Sequence, residues 1–147
     1  MWFPSVLALI FLYQSFDRIL EAVPSKEGLN MTLKIKDPGS ALTHFIGMLL
    51  ALFAATPLLI KAARSPEQTH VLALTIFIIS MILLYAASTT YHTLDISPKV
   101  NQILRKVDHM MIFILIAGTY TPVCMLVLGD RTGWALRGLV WGIALAG

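Results

Sequence analysis

Long apolar runs without charge, broken by short polar connections, set the pattern of this chain. Crossing a hydrocarbon core of about 30 Å takes roughly 20 apolar residues in a helix. Two stretches reach that length with no charged residue, ALTHFIGMLLALFAATPLLI (41–60) and VLALTIFIISMILLYAASTT (71–90), and both are expected to span a membrane. MMIFILIAGTYTPVCMLVLG (110–129) is a third such run. Its Pro122 is expected to kink the helix where Thr119 or Thr121 bonds the freed carbonyls, and Thr56 with Pro57 repeats the device in the first span. A fourth candidate, WALRGLVWGIALAG, opens on Trp134, a residue suited to the interface, but reaches Gly147 after about 21 Å of helix at 1.5 Å per residue. The expected fold class is all-α: a polytopic helical membrane protein with three spans and part of a fourth. A helix ending in mid-bilayer leaves its last carbonyls unsatisfied, so the pattern reads as a fragment of a larger bundle.

At the amino terminus, WFPSVLALIFLYQSF is too short to span and lacks the basic leader and small-residue cleavage site of a signal peptide. Residues 1–30 therefore read either as an extension carrying an interfacial helix or as upstream sequence ahead of a start at Met31, where MTLKIKDPGS gives a short basic lead. Residues 31–147 form the transmembrane domain in both readings.

Composition narrows the function classes. The chain is 147 residues long, 57% hydrophobic and 13% charged, with a mean hydropathy of +0.77, against about 25% charged residues in soluble domains. This implies a multi-pass protein of the cell membrane, with membrane lipids as its surroundings and partners. The net charge of +3 comes from Lys and Arg in the connections, with no block dense enough for nucleic acid. Cys124 is the single cysteine and lies in an apolar run, which excludes an intrachain disulfide and a cysteine-built zinc site. Lys34, Lys36, Lys99, Arg105 and Lys106 fall on one side of the spans, and Lys61, Arg64 and Arg131 on the other. The excess predicts that the segment before residue 40 and the 93–107 hairpin are cytoplasmic.

That topology puts His44, His92 and Asp108 at one depth near the cytoplasmic face. Ser88 and His92 are four residues apart and stack on one helix face, with Tyr85 one turn deeper. Ionisable side chains at membrane depth are costly and usually face a bundle interior or a wet cavity. A neutral imidazole is a common metal ligand, and a nearby carboxylate can bond a ligand or a water. Each residue also has a purely structural reading. His92 can bond headgroups and water, Asp108 can cap the third helix, and Ser88 can bond back to the carbonyl of residue 84. His109, turned about 100° from Asp108, and His70, at the opposite interface, read as anchors.

Four stretches carry a family resemblance: DPGSALTHFIG (37–47), STTYH (88–92), KVDHMMIF (106–113) and AGTYTPVCMLVLGDRTGWAL (117–136). From about Asp37 onward the chain resembles the bacterial hemolysin III family, relatives of the progestin and adiponectin receptors within a wider group of membrane hydrolases that includes alkaline ceramidases. The resemblance implies a seven-helix bundle with zinc bound near the cytoplasmic face. His92 matches the zinc ligand at the end of the second helix, and two more histidines are expected in a seventh helix. Asp108 matches the acid that bonds the water on the metal, and Ser88 the serine that supports the cluster, so these two are the candidate catalytic residues. The amino-terminal motif commonly carries glutamate and asparagine where Asp37 and Ser40 stand, while Thr43 and His44 match it. His44 is thus expected to support the site rather than to ligate.

The implied function is zinc-dependent hydrolysis of lipid amides or esters by the complete protein, with this chain alone inactive. The alternatives are a cytolytic or pore-forming membrane protein, as the family name suggests, and a non-catalytic lipid sensor held together by zinc. The spans show no polar stripe long enough to line a wide pore.

Overall fold

The computed structural model describes residues 35–146 together with Gln14. The extension over residues 1–30, Gln14 apart, the first four residues of the lead from Met31, Lys34 among them, and Gly147 lie outside the described residues. Over residues 35–146, four α-helices follow one another: α1 (Pro38–Ala63), α2 (Thr69–Thr93), α3 (Pro98–Pro122) and α4 (Arg131–Ala146). A π-helical turn, Val123–Val127, prolongs α3. Among the described residues three segments, Pro38–Ala63, Thr69–Thr93 and Pro98–Val127, are long and apolar enough to cross a membrane. The chain is a multi-pass helical membrane protein, as its hydrophobic pattern predicts.

Two helices start on the same device. Asp37 and Ser97 are N-caps whose side chains accept from the backbone N–H of Ser40 and Val100, and each is followed by a proline in the first turn. There the missing proline N–H costs nothing. The second start differs from the sequence expectation, because the polar hairpin at 93–107 shrinks to Leu94–Ser97. Val100, Leu104, Asp108 and Met111 recur at helical spacing and are buried, while Lys99, Arg105 and Lys106 are exposed. An amphipathic helix does not need hydrocarbon around it, so the charge that ends an apolar run does not end a helix.

Packing runs in chain order: α1 on α2, α2 on α3, and α3 with its π turn on α4, with no α1–α3 packing among the described residues. Small residues make the interfaces, as membrane helices require for close backbone approach. A Cβ on Gly47 would stand 2.8 Å from the Tyr85 ring, and one on Gly118 would overlap the Ser80 hydroxyl. Leu50, Phe53 and Val127 project outward with much of their surface uncovered, which suits lipid.

After Pro122 the helix changes type where a simple kink is expected. Thr119 and Thr121 donate to the carbonyls of Leu115 and Ala117, each at 2.8 Å, so neither takes the Gly118 carbonyl that Pro122 leaves free. Thr56 is exposed and makes no side-chain hydrogen bond among the described residues, so the first span does not repeat the device. The chain reverses through Gly129, whose φ of 52° suits a residue without a side chain. Then α4 returns along α3, where Trp141 Nε1 donates to Thr121 Oγ1 at 3.0 Å. Cys124 is buried and is a free thiol.

Candidate functional site

The amino end of α1 meets the carboxy end of α2 in a polar corner. Asp37 organises it with both carboxylate oxygens. Oδ1 accepts from the Ser40 N–H at 3.4 Å, and Oδ2 accepts from the Ser40 hydroxyl at 2.7 Å. The Asp37 backbone N–H donates to the His92 carbonyl at 2.9 Å, satisfying one of the acceptors that a helix end leaves open. Oδ2 also lies 3.3 Å from His92 Nδ1. The hydroxyl and backbone bonds from Ser40 hold the Asp37 carboxyl below the usual carboxylate range, with His92 adding a smaller pull in the same direction. Lys36, next along the chain, is engaged elsewhere: its ammonium lies 3.7 Å from the centroid of the Tyr91 ring.

One turn deeper, His44 Nδ1 and Ser88 Oγ share a hydrogen bond of 2.5 Å. Ser88 is only 2% exposed and bonds across to α1, so its alternative reading, a back-bond to residue 84 in its own helix, does not hold. Thr90 makes that kind of bond instead, to Ala86. The His44 ring stands edge-on to His92 at 5.5 Å and to Tyr85 at 6.2 Å between centroids. Beside them, Thr89 Oγ1 is buried with no hydrogen-bond partner among the described residues.

Asp108 reaches the same level from α3. Its place on the buried stripe with Val100, Leu104 and Met111 turns it toward α2. The close approach of Gly118 to Ser80 fixes the antiparallel register, and with equal rise in both helices Asp108 comes about level with Thr90, between Ser88 and His92. The capping role fails, since Ser97 caps α3 and Asp108 lies three turns inside it. Among the described residues its ion-pair contact is with His109, whose Nδ1 is 3.7 Å from Oδ2 and donates to the Arg105 carbonyl at 2.8 Å. His70 lies at the opposite end of α2, bonded to Ser65.

His92, Ser88 and His44 thus form one cluster, while Asp108 shares their depth without a direct bond to them. Among the described residues, no three of His, Cys, Asp and Glu are grouped to hold a metal ion. Zinc takes three protein donors in catalytic sites, so these residues alone do not complete such a site. A cavity of about 370 Å³ opens instead beside the π turn, between Thr69, Cys124, Trp134 and Arg137. It contains none of the candidate residues.

Two contacts escape sequence reasoning, Asp37 with His92 and His44 with Ser88. The second had a usable signal. His44 and Ser88 are equidistant from Pro66 in the turn joining the two spans, and reflection about a tight turn brings such residues level in an antiparallel pair. The first depends on the cap geometry at Asp37, which spacing does not show.

The profile of a family described as haemolysin-III related matches residues 33–147. Hemolysin-3 of Bacillus cereus is 38% identical over 118 residues, covering 80% of this chain and 53% of that protein. A Hemolysin-3 homolog of Bacillus subtilis (strain 168) is 42% identical over 108 residues, covering 74% of this chain and 50% of the relative. The chain therefore spans about half the length of these relatives. No solved structure matches it.

Proposed function

The chain belongs to the haemolysin III-related family, and from that membership we propose that it forms one side of a zinc-dependent hydrolase site for lipid amides or esters in the membrane. The observation that carries the reading is the polar corner itself: a buried serine, two histidines and the half-exposed Asp37 converge from α1 and α2 at the depth of Asp108, a buried carboxylate on α3. Ionisable groups gathered at one depth of an apolar bundle mark a site in preference to an anchor.

In this reading His92 offers an imidazole nitrogen as one metal ligand. The other two histidines come from the part of the family fold that the resemblance places in a seventh helix, beyond the described residues. Zinc, when bound, polarises a carbonyl and makes water a nucleophile near neutral pH. The chain's own groups do the rest. Asp108 presents a carboxylate that orients water and accepts its proton. Ser88, held by His44, presents a hydroxyl for the substrate oxygen. A lipid substrate reaches this corner sideways from the bilayer. The relative's name, Hemolysin-3, refers to lysis, but the outward faces of these spans carry many large apolar side chains, such as Leu50, Phe53 and Ile79, which suit lipid better than a water-filled pore.

The test uses a protein of the relatives' full length carrying this segment. His92→Ala should sharply lower zinc occupancy. Asp108→Asn should keep much of the zinc, with affinity weakened by about 10- to 100-fold at most, while release of fatty acid from a ceramide or ester lipid falls far more. Unchanged zinc stoichiometry in His92→Ala, or full turnover in Asp108→Asn, would sink the hydrolase reading. Membrane conductance that persists in Asp108→Asn would favour the lytic one.

A further inference from the structure

Two-point contact between Asp37 and His92 stands out at this corner. The Asp37 backbone N–H holds the His92 carbonyl at 2.9 Å, and its Oδ2 faces His92 Nδ1 at 3.3 Å. The two carboxylate oxygens divide their work. Oδ1 takes the backbone N–H of Ser40 and so caps α1, whereas Oδ2 is held by the Ser40 hydroxyl at 2.7 Å and turned to the imidazole. Capping alone uses one oxygen. His92 is also the penultimate residue of α2, where a helix frays most readily, so its ring direction needs support from outside its own helix. The neighbouring cation, Lys36, lies over Tyr91 and does not compete for the carboxylate.

We propose that Asp37 is a positioning residue for His92: by accepting the Nδ1 proton it holds the imidazole in the tautomer whose Nε2 lone pair is free for a metal. The inference rests on the hydrolase reading for the identity of the ligand, but the pairing itself can be observed without metal. A carboxylate on the second nitrogen of a ligating histidine fixes its tautomer and orientation and raises its basicity. Asp37 supplies that carboxylate from the adjacent helix, so the start of α1 aims the end of α2.

Two variants separate this role from capping. Asp37→Ser keeps an N-cap of similar quality but is too short to reach the ring, and Asp37→Glu restores a carboxylate with longer reach. The chain, with nitrogen-15 in its histidines, is examined by NMR in lipid bicelles at a pH where the rings are neutral, with His92 assigned from its loss in His92→Gln. His92 should carry its proton on Nδ1 in the unmodified chain, move to the Nε2–H form in Asp37→Ser, and return in Asp37→Glu. An Nε2–H ring in the unmodified chain, or no change in Asp37→Ser, overturns the proposal. In the full-length protein, zinc affinity should fall about 10- to 100-fold in Asp37→Ser and recover in Asp37→Glu. If His92→Ala abolishes zinc binding but Asp37→Ser leaves it unchanged, the positioning role is wrong and the ligand assignment stands. If the tautomer follows Asp37 while His92→Ala keeps its zinc, the hydrolase reading fails and the pairing stands.

Discussion

Single side chains decide how near these helices come. Gly118 is the sharpest case, because a Cβ there would overlap both the hydroxyl and the Cβ of Ser80. Gly118→Ala is expected to destabilise the α2–α3 pair by about 1–3 kcal/mol, the usual cost of overpacking. Ser80→Gly in the same chain should restore most of the loss, as coupled neighbours do. Unfolding of the single and double variants in detergent would check this, and two additive penalties would show that the contact does not set the spacing. Gly118 was visible in the sequence only as part of AGTYTP. Its partner was not, because Ser80 lies in an apolar run where nothing marks one residue as facing another helix.

At the scale of elements, caps place the helices. Ser97 accepts from the Val100 N–H at 3.3 Å, and with Pro98 it starts α3 well before the uncharged run begins. Asn101 staples the connection, donating to Asp95 at 2.7 Å and accepting from the Ile96 N–H. Ser97→Ala should cost about 1 kcal/mol and raise amide hydrogen exchange most at the first turn of α3, leaving the α1–α2 contacts unaffected. Exchange that rises equally at Ser88 and His44 would mean the cap supports the whole corner. The apolar pattern located the hydrocarbon-crossing part of each helix. It could not locate the helix ends, since caps and amphipathic turns outside the bilayer follow a different chemistry from the span.

Over the whole molecule, the three spans put the Asp37–His92 corner and the start of α3 at one end and the Ser65–His70 turn at the other. Positive charge is in excess at the first end, which is expected to be cytoplasmic. Gln102→Cys and Gln68→Cys, each exposed and uncharged in the parent, are made in a Cys124→Ala background. An impermeant thiol reagent should label position 68 in intact cells and position 102 only after lysis. The reverse pattern would invert the topology and move the polar corner to the outer leaflet.

Sequence alone determined the class of solvent, the three spans and the helix face shared by Ser88 and His92, because hydrocarbon imposes length and charge limits that each segment meets by itself. It also marked Asp108 as an ionisable group at membrane depth. Whether that carboxylate was a cap or a buried group was a question of where α3 begins, and there Ser97 and Pro98 outweighed the hydropathy boundary. Only the tertiary structure decided the partners. His44 meets Ser88 because two antiparallel helices reflect about a short turn, and Asp37 meets His92 because a cap on one helix lands against the end of the next. Such contacts join residues far apart in the chain, and their geometry is set by interhelical register, which the packing of Gly47 on Tyr85 and Gly118 on Ser80 establishes.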